Sequence, residues 1–483
     1  MPVYPMKEWL PDLPDYRNPG VLTAEDVFPS ARGYTPVPAY TSATDALAGR
    51  PLGAIQARDT SDNAFQYAGD ATALYQNVDG TWTDRSNVGG YSAAPEGRWD
   101  FAVWKDKVLA TNFVNNPQQI TFGSSAFSNL TTAFKAKNIA VVRDFVVFGN
   151  TNDSSDGSVP SRVRWSAFND ETDYTVSAST LSDFQDLKTG AIVRMFGGEY
   201  GVIFQEQSVV RMTFVGAPVV FQFDEVVPGI GLIAPGAAVQ VGDAVYFLSN
   251  KGFYVLEGGA RARPIGAGRV DRFVLDNIND SEFDRISAAA DPKSQRVFWS
   301  YAQSGQDDPN KIICYDAAFD RWSLIDEAAE LLWRAGETDV TVDSLAGAVD
   351  DLDVSVDADR WFGGAPGIGI FDENYESGFF TGSNKTATIE VGEFELNEGG
   401  HARLNGFRAL VDAGTVTAEV GTRNSQSASV SYGSSLSVNS NNRFTTRSNA
   451  RYHRFRFTLS GAWTDAVGMQ IDRNDLRAGG QRG

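Results

Sequence analysis

Few side chains in this sequence carry chemistry in a usable pattern. Its two histidines, His401 and His453, lack a second histidine at metal-ligand spacing and lack a Ser or Cys nucleophile motif beside them. The single cysteine, Cys314, sits in the run Lys311-Ile312-Ile313-Cys314-Tyr315-Asp316. One cysteine excludes a disulfide within the chain, argues against a thiolate zinc site, and reads as a small hydrophobe in a core. Asp350, Asp351, Asp353, Asp357 and Asp359 carry the charge for a calcium ion, but the glycine turn and distal glutamate of an EF-hand are missing, so a solvated acidic loop is the default. Gly363-Gly364-Ala365-Pro366-Gly367-Ile368-Gly369 matches a phosphate loop in glycine content alone, with no Lys-Ser/Thr and no helix pattern after it. Asn152-Asp153-Ser154-Ser155-Asp156-Gly157 has the composition of an exposed Asx turn. No carboxylate pair suited to sugar hydrolysis stands out. The expectation is therefore no catalytic residue, no metal site and no cofactor.

The elements that would position any such residue are short strands. The clearest hairpin runs from Gly242 to Gly259, two aromatic strands around Ser249-Asn250-Lys251-Gly252. Related pairs occur at Phe101–Thr111, Ile139–Phe148 and Tyr200–Phe214, and at Arg296–Tyr301 with Ile312–Leu324. Their spacing of roughly 40–50 residues is that of four-stranded propeller blades. Tyr315-Asp316 followed by Trp322 is similar to kelch-type blades, without their glycine pair. These signals predict an all-β fold: a β-propeller of six or seven blades over residues 51–382. One helix is expected, at Ile325–Ala335, with Asp326 near its start and Arg334 near its end.

Outside the blades the texture changes twice. Residues 1–50 repeat proline among isolated apolar anchors, as in Trp9-Leu10-Pro11-Asp12-Leu13-Pro14, which predicts an extended arm. Such an arm either closes its own propeller or contacts a neighbouring subunit, with Trp9, Leu10 and Tyr16 as candidate contacts. Residues 383–483 contain strictly alternating runs such as Ala387–Leu396, Val416–Val420 and Arg454–Leu459, predicting an antiparallel, sandwich-like β domain. This domain is rich in arginine: Arg403, Arg408, Arg443, Arg447, Arg451, Arg454 and Arg456. The whole chain carries a formal charge of −20, concentrated in the residues before it. That asymmetry makes Arg443, Arg447, Arg451 and Arg454 candidates for a head-to-tail contact between identical subunits. The acidic total argues against gripping nucleic acid by its phosphates but suits a passage through which it slides. No run of about 18 apolar residues suggests a membrane helix, and the first residues lack a signal-peptide layout, so synthesis in the cytoplasm is expected.

Several stretches resemble the propeller of bacteriophage tail proteins: Ala140–Asn150, Pro160–Ser166, Gly197–Gln205, Phe221–Asp224 and Arg451–Arg454. The resemblance extends from Trp9-Leu10-Pro11-Asp12 to Ala466-Val467-Gly468 and is to the tail hub or nozzle protein of short-tailed phages, also called the packaged-DNA stabilisation protein. It implies a virion protein forming a ring, usually a hexamer, below the portal and head-tail adaptor. Tail spike, fibre or needle proteins would be its other neighbours, and genomic DNA would pass through the lumen without sequence-specific binding. Under this reading Pro228, Gly229, Ile230 and Gly231 are candidate gate residues. The alternative is a receptor- or glycan-binding tail protein, with Trp82, Trp99, Trp104, Trp165, Trp322 and Trp361 as stacking faces.

Overall fold

The computed structural model describes residues 3–94, 97–291, 293–336, 367–472 and 475–479. The fold is all-β, and four-stranded meanders follow one another around a ring. The first blade comprises Gly53–Arg58, Ala64–Gly69, Leu74–Val78 and Thr81–Asp84; the second comprises Asp100–Trp104, Lys107–Thr111, Gln118–Thr121 and Ser128–Asn129. The third is built from Phe134–Val142, Phe145–Asp153, Gly157–Trp165 and Asp183–Asp186, and the fourth from Ile192–Phe196, Gly201–Gln205, Ser208–Gly216 and Val220–Pro228. The fifth holds Ala238–Val241, Ala244–Ser249, Gly252–Glu257 and Arg261–Pro264. Six of the meanders are self-contained sheets; Ser287–Asp291, Arg296–Tyr301, Lys311–Asp316 and Arg321–Ile325, sixth in order, continue into a ten-stranded sheet. The seventh unit takes Leu331–Ala335, Gly367–Phe371 and Glu376–Asn384 and borrows its outer strand, Pro38–Ala46, from the start of the chain.

Apolar faces between neighbouring blades bury one another, and this closes the ring. Leu52, Tyr67 and Trp99 join the first two blades, and Trp104 and Phe148 the second and third. Val147 and Met212 join the third and fourth, and Cys314 and Ile370 the sixth and seventh. Leu331, Trp333, Tyr75 and Trp82 return the circuit to the first blade. Tryptophan indoles rivet the joints: Trp99 donates to Asp70 O (2.8 Å), Trp82 to Thr44 Oγ1 (3.0 Å), Trp104 to Glu171 Oε2 (2.9 Å) and Trp322 to Ile265 O (3.2 Å). These four N–H groups find acceptors on an adjoining blade or loop, as a buried indole prefers, whereas Trp333 Nε1 has none among the described residues. Tyr315 and Trp322 face each other across paired strands with ring centroids 4.7 Å apart, the geometry behind their kelch-like spacing. Gly252 ends the fifth-blade hairpin turn at φ +114°, and a Cβ there would lie 2.2 Å from the Asp271 carboxyl.

The C-terminal strands form two facing sheets. Ala387–Phe394, Tyr452–Ser460 and Thr415–Arg423 make one; His401–Val411, Ala466–Gln470 and Phe444–Ala450 belong to the other. Phe407 packs on Phe455 at 4.9 Å between the sheets, and Phe444 and Leu459 fill the same core. Propeller and sandwich are not separate bodies. Val21–Glu25 pairs in parallel with Arg321–Ile325 of the sixth blade through Glu25 and Leu324, and antiparallel with Ala387–Phe394 of the sandwich. Val27–Pro29, Tyr34–Pro36 and Val3–Pro5 join the second sandwich sheet.

Two expectations need correction. Of the two alternatives for the N-terminal arm, the strands within residues 3–46 take the one that closes their own propeller: they join the sandwich and the seventh blade, so the propeller begins at residue 38 rather than 51. Pro5, Pro29, Pro36 and Pro38 fall at strand ends, where a missing N–H costs least, and Pro11, Pro14 and Pro19 lie outside strands. The helix expected at Ile325–Ala335 is absent. Ile325 ends the sixth blade and Leu331–Ala335 is a strand of the seventh, buried apart from Arg334. The helix Asp271–Asn277, between the fifth and sixth blades, was not anticipated.

Candidate functional site

The residues singled out in the sequence scatter. Pro228–Gly231 is the crossover from the fourth to the fifth blade, pinned by Leu232 N–H donating to Gln205 O (3.2 Å) and Lys251 Nζ donating to Gly229 O (2.6 Å). A Cβ at Gly231 would lie 2.2 Å from Glu206 O, so this glycine permits close packing rather than a hinge. Trp9 and Leu10 are buried in their own chain, and Tyr16 packs edge-on against Tyr452 at 5.6 Å. Trp9 and Leu10 are thus spent within their own chain, while Tyr16 stays partly exposed.

Most of the arginines proposed for a head-to-tail contact are consumed internally. Arg454 is buried, bonding Glu393 (3.0 Å) and Asp15 of the N-terminal segment (2.6 Å). Arg423 and Gln426 also donate to Glu393, each at 2.7 Å. Burial alone would raise the Glu393 pKa, but these donors outweigh it and hold the carboxylate below its ordinary range. Arg443 bonds Asp475 (2.8 Å) and Arg451 bonds Glu395 (3.0 Å). Arg447 is exposed, beside a groove of about 360 Å³ lined by Tyr432 and Ser434, and Arg451 also keeps 42% of its side chain exposed.

The stacking faces are also spent. Trp82, Trp99, Trp104, Trp165 and Trp322 are buried. Trp361, the aspartates of 350–359 and Gly363 to Pro366 lie outside the described residues, while Gly367–Gly369 is plain strand. Asp153 accepts the Ser155 and Asp156 N–H groups at 2.8 Å, the expected Asx turn. Cys314 is wholly buried, which pushes its thiol pKa up to about 12. Among the described residues no three His, Cys, Asp or Glu side chains gather as a metal-binding group.

What the structure does bring together is a set of cations at one mouth of the propeller's central channel. Arg50, Arg98 and Arg285 each stand two or three residues before an innermost strand, and Arg194 lies within one. Arg194 pairs with Asp100 (3.0 Å), and Arg285 with Glu330 (2.7 Å) and Asp308 (2.6 Å). Arg98 reaches from the second blade across to the entry of the fifth, where a Cβ on Gly236 would lie 2.6 Å from its Nη1. Its Nε is buried without a hydrogen-bond partner. Burial, then the charges of Arg194 and Arg50, push its pKa down to about 9 against the pull of Asp100. Beside it opens a cavity of about 390 Å³, walled by Phe113, Val114, Lys137, Ser158, Pro160 and Asp284. Sequence reasoning missed these residues because blades far apart in the chain contribute them. Only the repeated arginine just before a blade's first strand could have flagged them.

No protein-family model matches the chain, and no curated protein matches it. Solved structures similar to it include the extracellular domain assigned to a hybrid two-component system of B. thetaiotaomicron, at 8% identity and TM-score 0.45, covering 77% of this chain and 44% of that one. Others are the WD40 domain of Pan2 from Neurospora crassa (7%, TM-score 0.38, 70% and 94%) and BamB from Moraxella catarrhalis (10%, 0.26, 40% and 53%). The chain thus spans less than half the length of the first.

Proposed function

We propose that this chain is a non-enzymatic wall subunit of a virion tail, a hub or nozzle ring that continues a DNA channel, retains packaged DNA and conducts it during ejection. One observation supports this reading best: Val21–Glu25 fuses propeller and sandwich into a continuous ten-stranded sheet. A wall segment that carries pressure benefits from having no hinge between its parts, and strand pairing across the joint gives that. Its work then lies in shape and charge, with the −20 total keeping DNA mobile along acidic surfaces. The arginine network of the sandwich braces the subunit internally instead of reaching for a neighbour. The head-tail adaptor above, spike or needle proteins below and identical copies alongside would be its partners. Glycan recognition by stacking has less support, since the five described tryptophans offered for it are buried. Cryo-electron microscopy of purified particles tests the proposal: it expects a ring of copies, six by the resemblance, on the tail axis. Absence from the particle, or one or two peripheral copies, would overturn it.

A further inference from the structure

We propose that the free edge of strand Phe444–Ala450 is a docking site for an extended acidic peptide, a strand of another polypeptide that adds to the second sandwich sheet and sets its carboxylates against Arg447.

Among the described residues Phe444–Ala450 ends its sheet, pairing with His401–Val411 on one side and with no strand on the other. Alternate residues of an antiparallel strand turn their N–H and C=O groups away from the partner, so this edge presents a row of unmet donors and acceptors. No backbone group of residues 445–449 bonds outside that one pairing among the described residues. The edge borders the groove of about 360 Å³, whose far wall includes Thr422 and Tyr432 of the first sandwich sheet. Burial alternates along the strand, and its inward row runs Phe444, Thr446, Ser448, Ala450. Phe444 fills the core, but the next two positions carry hydroxyls that line the groove, and the sandwich stays open there. Ser448 Oγ is enclosed without a hydrogen-bond partner. A main chain laid along the edge brings the amides and carbonyls that these groups lack.

Charge selects the occupant. Among the described residues Arg447 is the one charged side chain lining the groove, and no carboxylate joins it. Neither Phe444–Ala450 nor His401–Val411 contains an acidic residue, and exposed Arg403, opposite Asn449, adds a second cation on the outward side that Arg447 shares. Asp472 and Asp475 are held by Arg408 (3.4 Å) and Arg443 (2.8 Å), and Glu395 by Arg451 (3.0 Å). Exposed Glu398, in the turn before His401, pairs with neither Arg403 nor Arg447, which have no ion pair among the described residues. A second copy of the same edge is disfavoured. Full antiparallel overlap of two Phe444–Ala450 strands sets Arg447 against Arg447, and like charges directly opposite destabilise a strand pair. An alternating peptide with carboxylates on the Arg447 side gains both the ladder and the charge pairs, while Arg447 guards the edge against unselected strands.

The full chain should be titrated, by fluorescence anisotropy, with a labelled heptapeptide alternating aspartate and valine. A serine–valine counterpart and an aspartate–valine copy with proline at its centre serve as comparisons. Saturable binding of the acidic peptide is expected, with slower amide hydrogen exchange in residues 444–450, as ladder formation requires. The chain's total of −20 repels this peptide, so unspecific attraction does not account for binding. The proline copy lacks a ladder N–H and should bind about fivefold more weakly. Arg447→Glu, at an exposed position, should weaken the acidic peptide about fivefold or more and leave the serine peptide unchanged, with circular dichroism checking its fold. Should that variant not fold, the exchange map of the parent decides. No binding of the acidic peptide, equal affinity for the proline copy, exchange protection outside residues 444–450 alone, or unchanged affinity in folded Arg447→Glu would overturn the proposal.

Discussion

Replacing His453 with leucine should remove a defined part of the protein's acid sensitivity. His453 lies in Tyr452–Ser460, fully buried opposite Thr422 and next to Phe394, and neither ring nitrogen has a partner. Burial, reinforced by His401, pushes its pKa down to about 4 from an ordinary 6.5. The folded state therefore keeps the ring neutral where the unfolded chain takes up a proton. Stability from this group is complete above pH 6.5 and is lost as pH falls toward 4, because the unfolded state binds more protons in that window. At 1.36 kcal/mol per pKa unit the full loss is about 3 kcal/mol, of which about 2 kcal/mol falls between pH 7 and pH 5. Leucine has similar bulk, no proton to gain and no polar atom to leave unsatisfied. Urea unfolding followed by tryptophan fluorescence at pH 7, 6 and 5 would show His453→Leu at least as stable as the parent at pH 7. At pH 5 it should be ahead by about 2 kcal/mol. Carboxylates elsewhere titrate in both proteins and cancel in the difference. Parallel stability curves across this range would refute the buried neutral histidine.

Glu393→Gln removes the charge shared by Arg423 and Arg454 in a wholly buried position. It should cost about 3–5 kcal/mol in urea unfolding, since two guanidinium groups lose their common counter-charge. Asp271→Asn acts with the opposite pH sign to His453. Burial, then the charge of Asp12, raises the Asp271 pKa to about 6, although the Phe253 N–H donates to it at 2.9 Å. Its stabilising contribution is complete below pH 3.8 and lost as pH rises through 6, so the variant should gain on the parent between pH 5 and pH 7 in the same unfolding assay.

The blades were legible because their hairpins are local: Ala244–Ser249 and Gly252–Glu257 meet across two residues, and alternation with a turn signal suffices to see them. The helix reading of Ile325–Ala335 failed for a physical reason. Ala328, Ala329, Glu330, Leu331 and Leu332 all have high helix propensity, yet a strand enclosed by neighbouring blades shows a continuous apolar run that periodicity cannot separate from a helix. The N-terminal strands were illegible because their partners lie far away, as with Thr41 opposite Phe379. The channel arginines were hidden similarly, since Arg50, Arg98, Arg194 and Arg285 converge only once the ring closes.

The borrowed outer strand of the seventh blade sets a timetable for biosynthesis. Pro38–Ala46 leaves the ribosome early, but Glu376–Asn384, against which it must zip, follows some 330 residues later. At elongation rates of roughly 5–20 residues per second this is a wait of roughly 15 to 65 seconds with an unpaired strand edge exposed. Over that interval the strand can seek the equivalent edge of a sister polypeptide on the same message, giving exchanged, tangled products. The yield of correctly closed protein should therefore depend on how crowded the translating messages are, and slower, sparser expression should favour the closed ring.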